Sequence, residues 1–248
     1  MDLLKYLKAG VAEVLNLNPD PAYALHNGRH AALGQSIAKR QHFMTRIAIA
    51  NPKGGVGKST LATHVAGYLA SRGYEVMLGD ADVQHSARLW LSLRPPSAKP
   101  ISYWEVDPQE FTKPPKGADH YVLDTPAALA GKQLKDVLKW ADKVLVPLQA
   151  SIFDIYATRT FLDELAQSRH ADSVEVGIVA MRVDERTLAA DQLFAFVKSL
   201  NLPAVGTLRD TQNYVHLAAN GLTVFDVHTS RMERDQDQWK PIGKWLER

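Results

Sequence analysis

Lys53, Lys58 and Ser59 lie in the run "NPKGGVGKST" (51–60), whose residue types handle phosphate. A glycine-rich turn offers backbone N–H groups to phosphate oxygens. The lysine that closes it reaches the β- and γ-phosphates, and the next hydroxyl ligates Mg²⁺. Gly54, Gly55, Val56 and Gly57 form such a turn, Lys58 and Ser59 close it, and Thr60 follows at the start of a helix. A plain glycine turn has no need of Lys-Ser-Thr in register. The spacing departs from Gly-x-x-x-x-Gly-Lys-Ser/Thr at its first glycine, which is Pro52 here, and Lys53 is a cation beyond what the turn requires. Three carboxylates follow at strand ends: Asp80 and Asp82 in "DADVQHSA" (80–87) and Asp124 in "YVLDTPA" (121–127). Such groups suit a Mg²⁺ site or an attacking water. Asp80 and Asp82 also suit turn formation or helix capping.

The elements that must position these residues alternate. "RIAIAN" (46–51), "EVMLGD" (75–80), "HYVLD" (120–124), "KVLVPL" (143–148) and "VEVGIVAM" (174–181) read as buried strands. Helix-length stretches lie at about 58–72, 131–141, 154–169 and 187–200. Alternation of this kind predicts an α/β fold, a mostly parallel sheet with helices on both faces. The proline-rich segment 94–117 reads as an irregular excursion around one strand, "ISYWEV" (101–106). A strand ending at Asn51, the glycine turn and a helix from Lys58 form the context a phosphate loop needs, because the helix N-terminus attracts anions.

The chain has 248 residues, 46% hydrophobic and 23% charged, which suits one soluble α/β domain. A formal charge of +2 gives weak support for an anionic partner, so any basic surface must be local. The absence of cysteine excludes disulfides and thiolate metal sites. With no long apolar run and no signal-peptide pattern, the expected location is cytoplasmic. Residues 1–43 read as a helical N-terminal extension and 44–248 as the main domain. Leu3, Leu4, Leu7, Val11, Val14 and Leu15 have helical spacing, and "NPDP" (18–21) stops that helix. This arm either packs on its own domain or is a docking or membrane-touching arm, and Met44 is an alternative start.

The loop resembles the deviant Walker A sequence, Lys-Gly-Gly-x-Gly-Lys-Ser/Thr, of the ParA/MinD family of P-loop ATPases. "DADVQHSA" resembles that family's Asp-x-Asp-Pro-Gln motif, and "YVLDTPA" its Walker B strand and following turn. "VLVPLQASIFDIYAT" (144–158), "VAMRVDERT" (179–187) and "TLRDTQNYVHLAANGLTVFD" (207–226) resemble later family segments, so the likeness runs from about Thr45 to the C-terminus. It implies ATP and Mg²⁺ as cofactors and a homodimer that sandwiches ATP. In that dimer Lys53 reaches the partner's phosphates in trans, Lys58 contacts the β- and γ-phosphates and Thr60 the α-phosphate. Ser59 and Asp124 serve Mg²⁺ with support from Asp80, and Asp82 positions the attacking water. Adenine is expected between the 181–183 loop, with Met181 and Arg182, and Leu208, Arg209 and Asp210. Three positions depart from the family pattern: Val83 replaces proline, His85 stands where glycine is frequent, and Met181 replaces an asparagine.

The resemblance implies an ATPase of slow intrinsic turnover. Its dimer binds nonspecific DNA and positions a plasmid, a chromosome locus or a protein assembly. A small ParB-like or cargo-adaptor protein stimulates hydrolysis, and the protein is nucleoid-associated. The alternative is a MinD-like membrane ATPase or a regulator of flagellar or secretion machinery. The tail "MERDQDQWKPIGKWLER" mixes charges and carries Pro241, which fits a packed helix better than a membrane-targeting one. Lys198, Arg231 and Arg234 are the DNA-contact candidates, with Lys132, Lys135 and Lys139 as outsiders.

Overall fold

The computed structural model describes residues 44–107 and 110–248. The expectations for the arm at 1–43 lie outside these residues. Seven strands form one sheet: β1 (Thr45–Ile49), β2 (Val76–Asp80), β3 (Ser102–Glu105), β4 (His120–Asp124), β5 (Lys143–Gln149), β6 (Glu175–Val183) and β7 (Ala204–Arg209). Their order is β3-β2-β4-β1-β5-β6-β7, and every neighbouring pair is parallel. The helices are α1 (Lys58–Ser71), α2 (Ser86–Ser92), α3 (Gly131–Trp140), α4 (Ile152–Ala166), α5 (Leu188–Ser199), α6 (Gln212–Ala218) and α7 (Ser230–Leu246). The expected α/β architecture is the one observed, that of a P-loop NTPase.

Side-chain alternation divides the core in two, because successive strand residues point to opposite faces. Ile47, Ile49, Leu78, Val122 and Leu145 pack with Leu61, Val65 and Leu69 of α1 and with Trp239, Ile242 and Trp245 of α7. Ala48, Val144, Val146, Val176 and Ile178 pack instead with Leu134 of α3, Leu162 of α4 and Leu193 of α5. Strands buried on both faces explain the near-continuous apolar runs in the sequence. Burial of Ile47, Ile49 and Leu145 is complete. This rigid centre carries β1, β2 and β4 to a common carboxyl edge, where the register pairs Ile49 and Asp80 with Asp124.

The tail forms the packed helix expected of it, with Pro241 inside α7. Trp239 is fully buried and donates its indole N–H to the Tyr214 hydroxyl at 3.1 Å. Gly206 of β7 leaves the space that Ile242 fills, and Gly243 does the same for Tyr68. No helix among the described residues is long and apolar enough to cross a membrane.

One buried ion pair fastens the end of α2 to the turn after α6. Arg94 Nη2 donates to Asp226 Oδ1 at 2.8 Å, both side chains being 5% exposed. Arg94 also donates to the carbonyls of Lys99 and Gly221. Thr223 donates to Asp226 Oδ2 through its N–H and its hydroxyl. Burial alone would push the Asp226 carboxyl up, but Arg94 and Thr223 outweigh it and hold the group below its ordinary value. Such a carboxylate adds stability above its unfolded pKa and loses it as pH falls through the folded one. Removing one partner leaves a buried charge alone, so Arg94→Ala is expected to lose about 3–5 kcal/mol near neutral pH. Urea titrations of both proteins across the acid range should show that deficit shrinking as Asp226 takes up a proton.

Candidate functional site

The glycine turn closes between β1 and α1. Gly55 and Gly57 have φ of 78° and 97°, left-handed values that side-chain-bearing residues rarely adopt. A Cβ at Gly57 would also lie 2.9 Å from Met181 Cε, so the end of β6 closes over the turn. Buried Asn51 holds the loop's entrance. Its Oδ1 accepts from Lys53 N at 2.9 Å, and its Nδ2 donates to Pro147 O and Thr158 Oγ1. Gln149 Nε2 donates to Gly55 O at 3.0 Å, tying the turn to β5. Asn51, Gln149 and Thr158 did not enter the sequence reading as site residues, although all three lie inside its motifs.

The two lysines part company. Lys58 is buried at the start of α1 and donates from Nζ to the Lys53 carbonyl at 2.8 Å, curling the loop on itself. Burial lowers its pKa, and the carboxylates of Asp124 and Asp82 oppose that shift. Lys53 points the other way, its side chain 41% exposed and its Nζ 4.0 Å from Asp154 Oδ1 on α4. Burial raises the Asp154 pKa, and Lys53 opposes that.

Asp124 has no solvent exposure, and neither of its oxygens completes a hydrogen bond. Burial pushes its pKa up to about 8, and the adjacent Ser59 hydroxyl opposes the shift. A hydroxyl beside an orphaned carboxylate fits Mg²⁺, which binds through one or two protein oxygens, phosphates and retained waters. Asp80 is differently occupied. Its Oδ2 accepts from Ala87 N and Arg88 N at 2.8 and 3.0 Å, and its Oδ1 from Asp82 N at 3.0 Å. It caps α2 and shapes the Asp82 turn, so its support for a metal site is indirect. Burial raises its pKa against those three bonds.

The departures at Val83 and His85 have local explanations. Val83 is 73% exposed and contributes nothing to the turn, which the Asp carboxylates hold. Asp82 Oδ1 accepts from Gln84 N at 2.9 Å, and Asp82 O from His85 N. His85 has φ 50°, the left-handed conformation that favours glycine.

A cavity of about 480 Å³ adjoins the glycine turn. It is lined by Gly57, Thr60, Met181, Arg182, Leu208, Arg209 and Asp210, the residues expected around a base. Tyr214 and Val215 of α6 line it too, an element not assigned from the sequence. Arg182 and Asp210 are exposed, and Arg182 has φ 52°. The Arg209 guanidinium is engaged elsewhere: Nε donates to fully buried Asp235 at 2.6 Å, and Asn213 Nδ2 donates to the same carboxylate. Its pKa is raised by that bond. Of the DNA-contact candidates, Arg231 and Arg234 lie within the first five residues of α7 and Lys198 near the end of α5, all exposed. Arg234 lines a second cavity of about 490 Å³, and Lys198 is not among its lining residues.

Residues 47–224 match the family described as CbiA, the CobQ/CobB/MinD/ParA nucleotide binding domain. The chain is 26% identical over 188 residues to Maintenance of carboxysome distribution protein A of Halothiobacillus neapolitanus, covering 73% of this chain and 87% of that one. It is 30% identical over 189 residues to Chromosome-partitioning ATPase Soj of Thermus thermophilus, covering 62% and 76% respectively. The septum site-determining protein MinD complexed with Mg-ADP from Pyrococcus horikoshii superposes with a TM-score of 0.66 at 12% identity, a likeness of fold over 83% of this chain and 96% of that one. With the glycine turn, its inward lysine and the buried carboxylate in place on that fold, the chain belongs to the CobQ/CobB/MinD/ParA family of nucleotide-binding domains.

Proposed function

We propose that the chain is a positioning ATPase whose nucleotide state sets its dimer state. The observation that carries this reading is the divergence of the two loop lysines. Lys58 is turned inward, where it can meet the phosphates of a nucleotide in its own loop. Lys53 faces outward, 4.0 Å from Asp154, and is available to a second subunit. Phe153 and Tyr156, exposed on α4 beside Asp154, offer apolar surface for such a contact. The named relatives, one for carboxysome distribution and one for chromosome partitioning, support a role in placing large cargo.

In this reading residues 44–248 are the ATPase unit, and ATP is the substrate. The loop N–H groups and the α1 terminus bind its phosphates, with Lys58 on the β/γ side and Thr60 on the α side. Ser59 and Asp124 hold Mg²⁺, which neutralises phosphate charge when bound. Asp82, beside Lys58, orients the attacking water, and Asp80 fixes the Asp82 turn. Lys53 of the partner subunit supplies a cation where charge develops on the transferred group. The base lies against Met181, Arg182, Leu208 and Asp210, and Arg209 braces that wall through Asp235. The dimer binds nonspecific DNA through basic surface that includes Lys198, Arg231 and Arg234. A ParB-like or cargo-adaptor protein stimulates hydrolysis in a cytoplasmic, nucleoid-associated cycle.

Lys53→Ala is expected to leave ATP affinity of the monomer near wild type while abolishing the ATP-dependent dimer. Light scattering after size exclusion, in an Asp82→Ala background, reads this directly. A stable ATP dimer without Lys53 would overturn the bridging role.

Asp82→Ala is expected to bind ATP and dimerise normally while turnover falls at least about 100-fold. Phosphate release under single-turnover conditions checks it, and normal turnover would move the water-orienting role to another residue.

For the DNA surface, retention of arbitrary duplex should require ATP. It should weaken by about 10³-fold between low and moderate salt if six or more phosphates are contacted. Parallel sedimentation with anionic liposomes tests the opposite outcome, membrane binding without DNA binding.

A further inference from the structure

We propose that the amino end of the sheet carries a docking site for an acidic peptide segment of a partner protein, anchored by an apolar side chain. A cavity of about 550 Å³ opens there, between the segment before β4 and the outer face of α3. Its floor is aromatic. Phe111 lies 5.5 Å from Trp140 between ring centroids, and Trp140 lies 5.7 Å from Trp104 behind it. Its wall is fastened in place: Trp104 Nε1 donates to Thr112 O at 3.2 Å, and the Tyr121 hydroxyl donates to Pro115 O at 3.0 Å while accepting from Ala118 N at 3.2 Å. These bonds hold Lys113 and Lys116 across the cavity from Lys132 and Lys139.

All four lysines are exposed, and none forms an ion pair among the described residues. Arg46, also in the lining, is already neutralised by Asp142 at 2.6 and 2.9 Å. Glu110 and Asp136 are the acids of the rim, so four unpaired cations face two carboxylates. Lys135 continues the positive stripe outside the cavity, three residues after Lys132 and four before Lys139, giving about 10 Å of basic helix face. A stripe that outruns the cavity calls for an extended occupant, and the recess calls for one apolar anchor.

Charge selects among occupants. Residues 1–43 carry five Lys or Arg against three Asp or Glu, so this chain's own arm does not complement the site. Duplex DNA presents an evenly charged convex backbone that cannot enter an aromatic recess and that Glu110 and Asp136 repel. A peptide can space its acids to meet the lysines and avoid those carboxylates. The cavity borders the first residues of β1, whereas the glycine turn follows its last. The two sites are separated by a strand length, roughly 16 Å. Docking here is therefore independent of nucleotide and of the dimer face, and it does not rest on the function proposed above.

The experiment uses the full-length protein and a fluorescein-labelled peptide rich in Asp and Glu with a central Leu, read by anisotropy. Binding should be equal with and without ATP. The double variant Lys113→Glu/Lys132→Glu should weaken it at least about tenfold while binding of a fluorescent ATP analogue is unchanged. Replacing the peptide's Leu by Gly at equal charge should also weaken it. Absence of peptide binding, equal binding by the charge-reversed variant, or indifference to the Leu would each overturn the proposal. So would loss of labelled duplex DNA binding in the double variant with peptide binding intact.

Discussion

A carboxylate taken out of water, with only the Ser59 hydroxyl beside it, is the constraint around which this structure is arranged. Asp124 ends the strand between β1 and β2, fully buried, and both its oxygens are orphaned. The effective penalty for burying an unpaired ion is several kcal/mol, so the group must take a proton or meet a cation. Its pKa, pushed up to about 8, expresses that penalty; Lys58 is lowered by its own burial, and Asp124 opposes that shift. The surrounding core makes the arrangement tolerable. β1, β2 and β4 are packed on both faces and fix the strand end that carries Asp124.

The loop opposite Asp124 is held by its own side chains and those of its neighbours. Lys58 closes on the Lys53 carbonyl, Asn51 fixes the entrance, Gln149 secures the crest, and the left-handed backbone at position 57 calls for glycine, with Met181 packed against it. An anion entering the loop exchanges one acceptor of Lys58 for another instead of ordering a free chain. Little conformational entropy is left to lose, which is how preorganisation raises affinity. In the same loop Lys53 turns outward toward Asp154, so the two lysine side chains diverge.

The sheet was legible in the sequence because its strands are buried on both faces and end in turn residues. "HYVLD" coincides with β4 end to end, and the helices expected near 58, 131 and 187 begin within a residue of those positions. The elements not assigned are short or interrupted. α2 and α6 have seven residues each, and β7 carries Gly206 and Thr207 where an apolar run would have marked it. At the site, the glycine turn was legible from residue types alone. The capping role of Asp80 was one of its two readings and follows from a contact only seven residues away, whereas the commitment of Arg209 to Asp235 was not legible, because it joins segments whose proximity only the tertiary fold creates. His85 shows the reverse case: a residue at odds with the family pattern still adopts the backbone conformation that glycine marks there.

The Arg94–Asp226 pair joins two segments that the sequence separates by more than a hundred residues, one following the Asp80–Asp82 turn and the other following α6, which lines the cavity beside the glycine turn. Trp90 adds its indole N–H to the Leu222 carbonyl in the same junction, and its ring lies under the Arg94 guanidinium. Because these bonds are shared, neither segment can open alone without stranding a buried charge. In amide hydrogen exchange, the end of α2 and the 221–226 turn therefore constitute one opening unit, with a common free energy set by the junction and not by either segment's own length. A fluctuation that loosens the segment after the Asp80–Asp82 turn loosens the 221–226 turn in the same event.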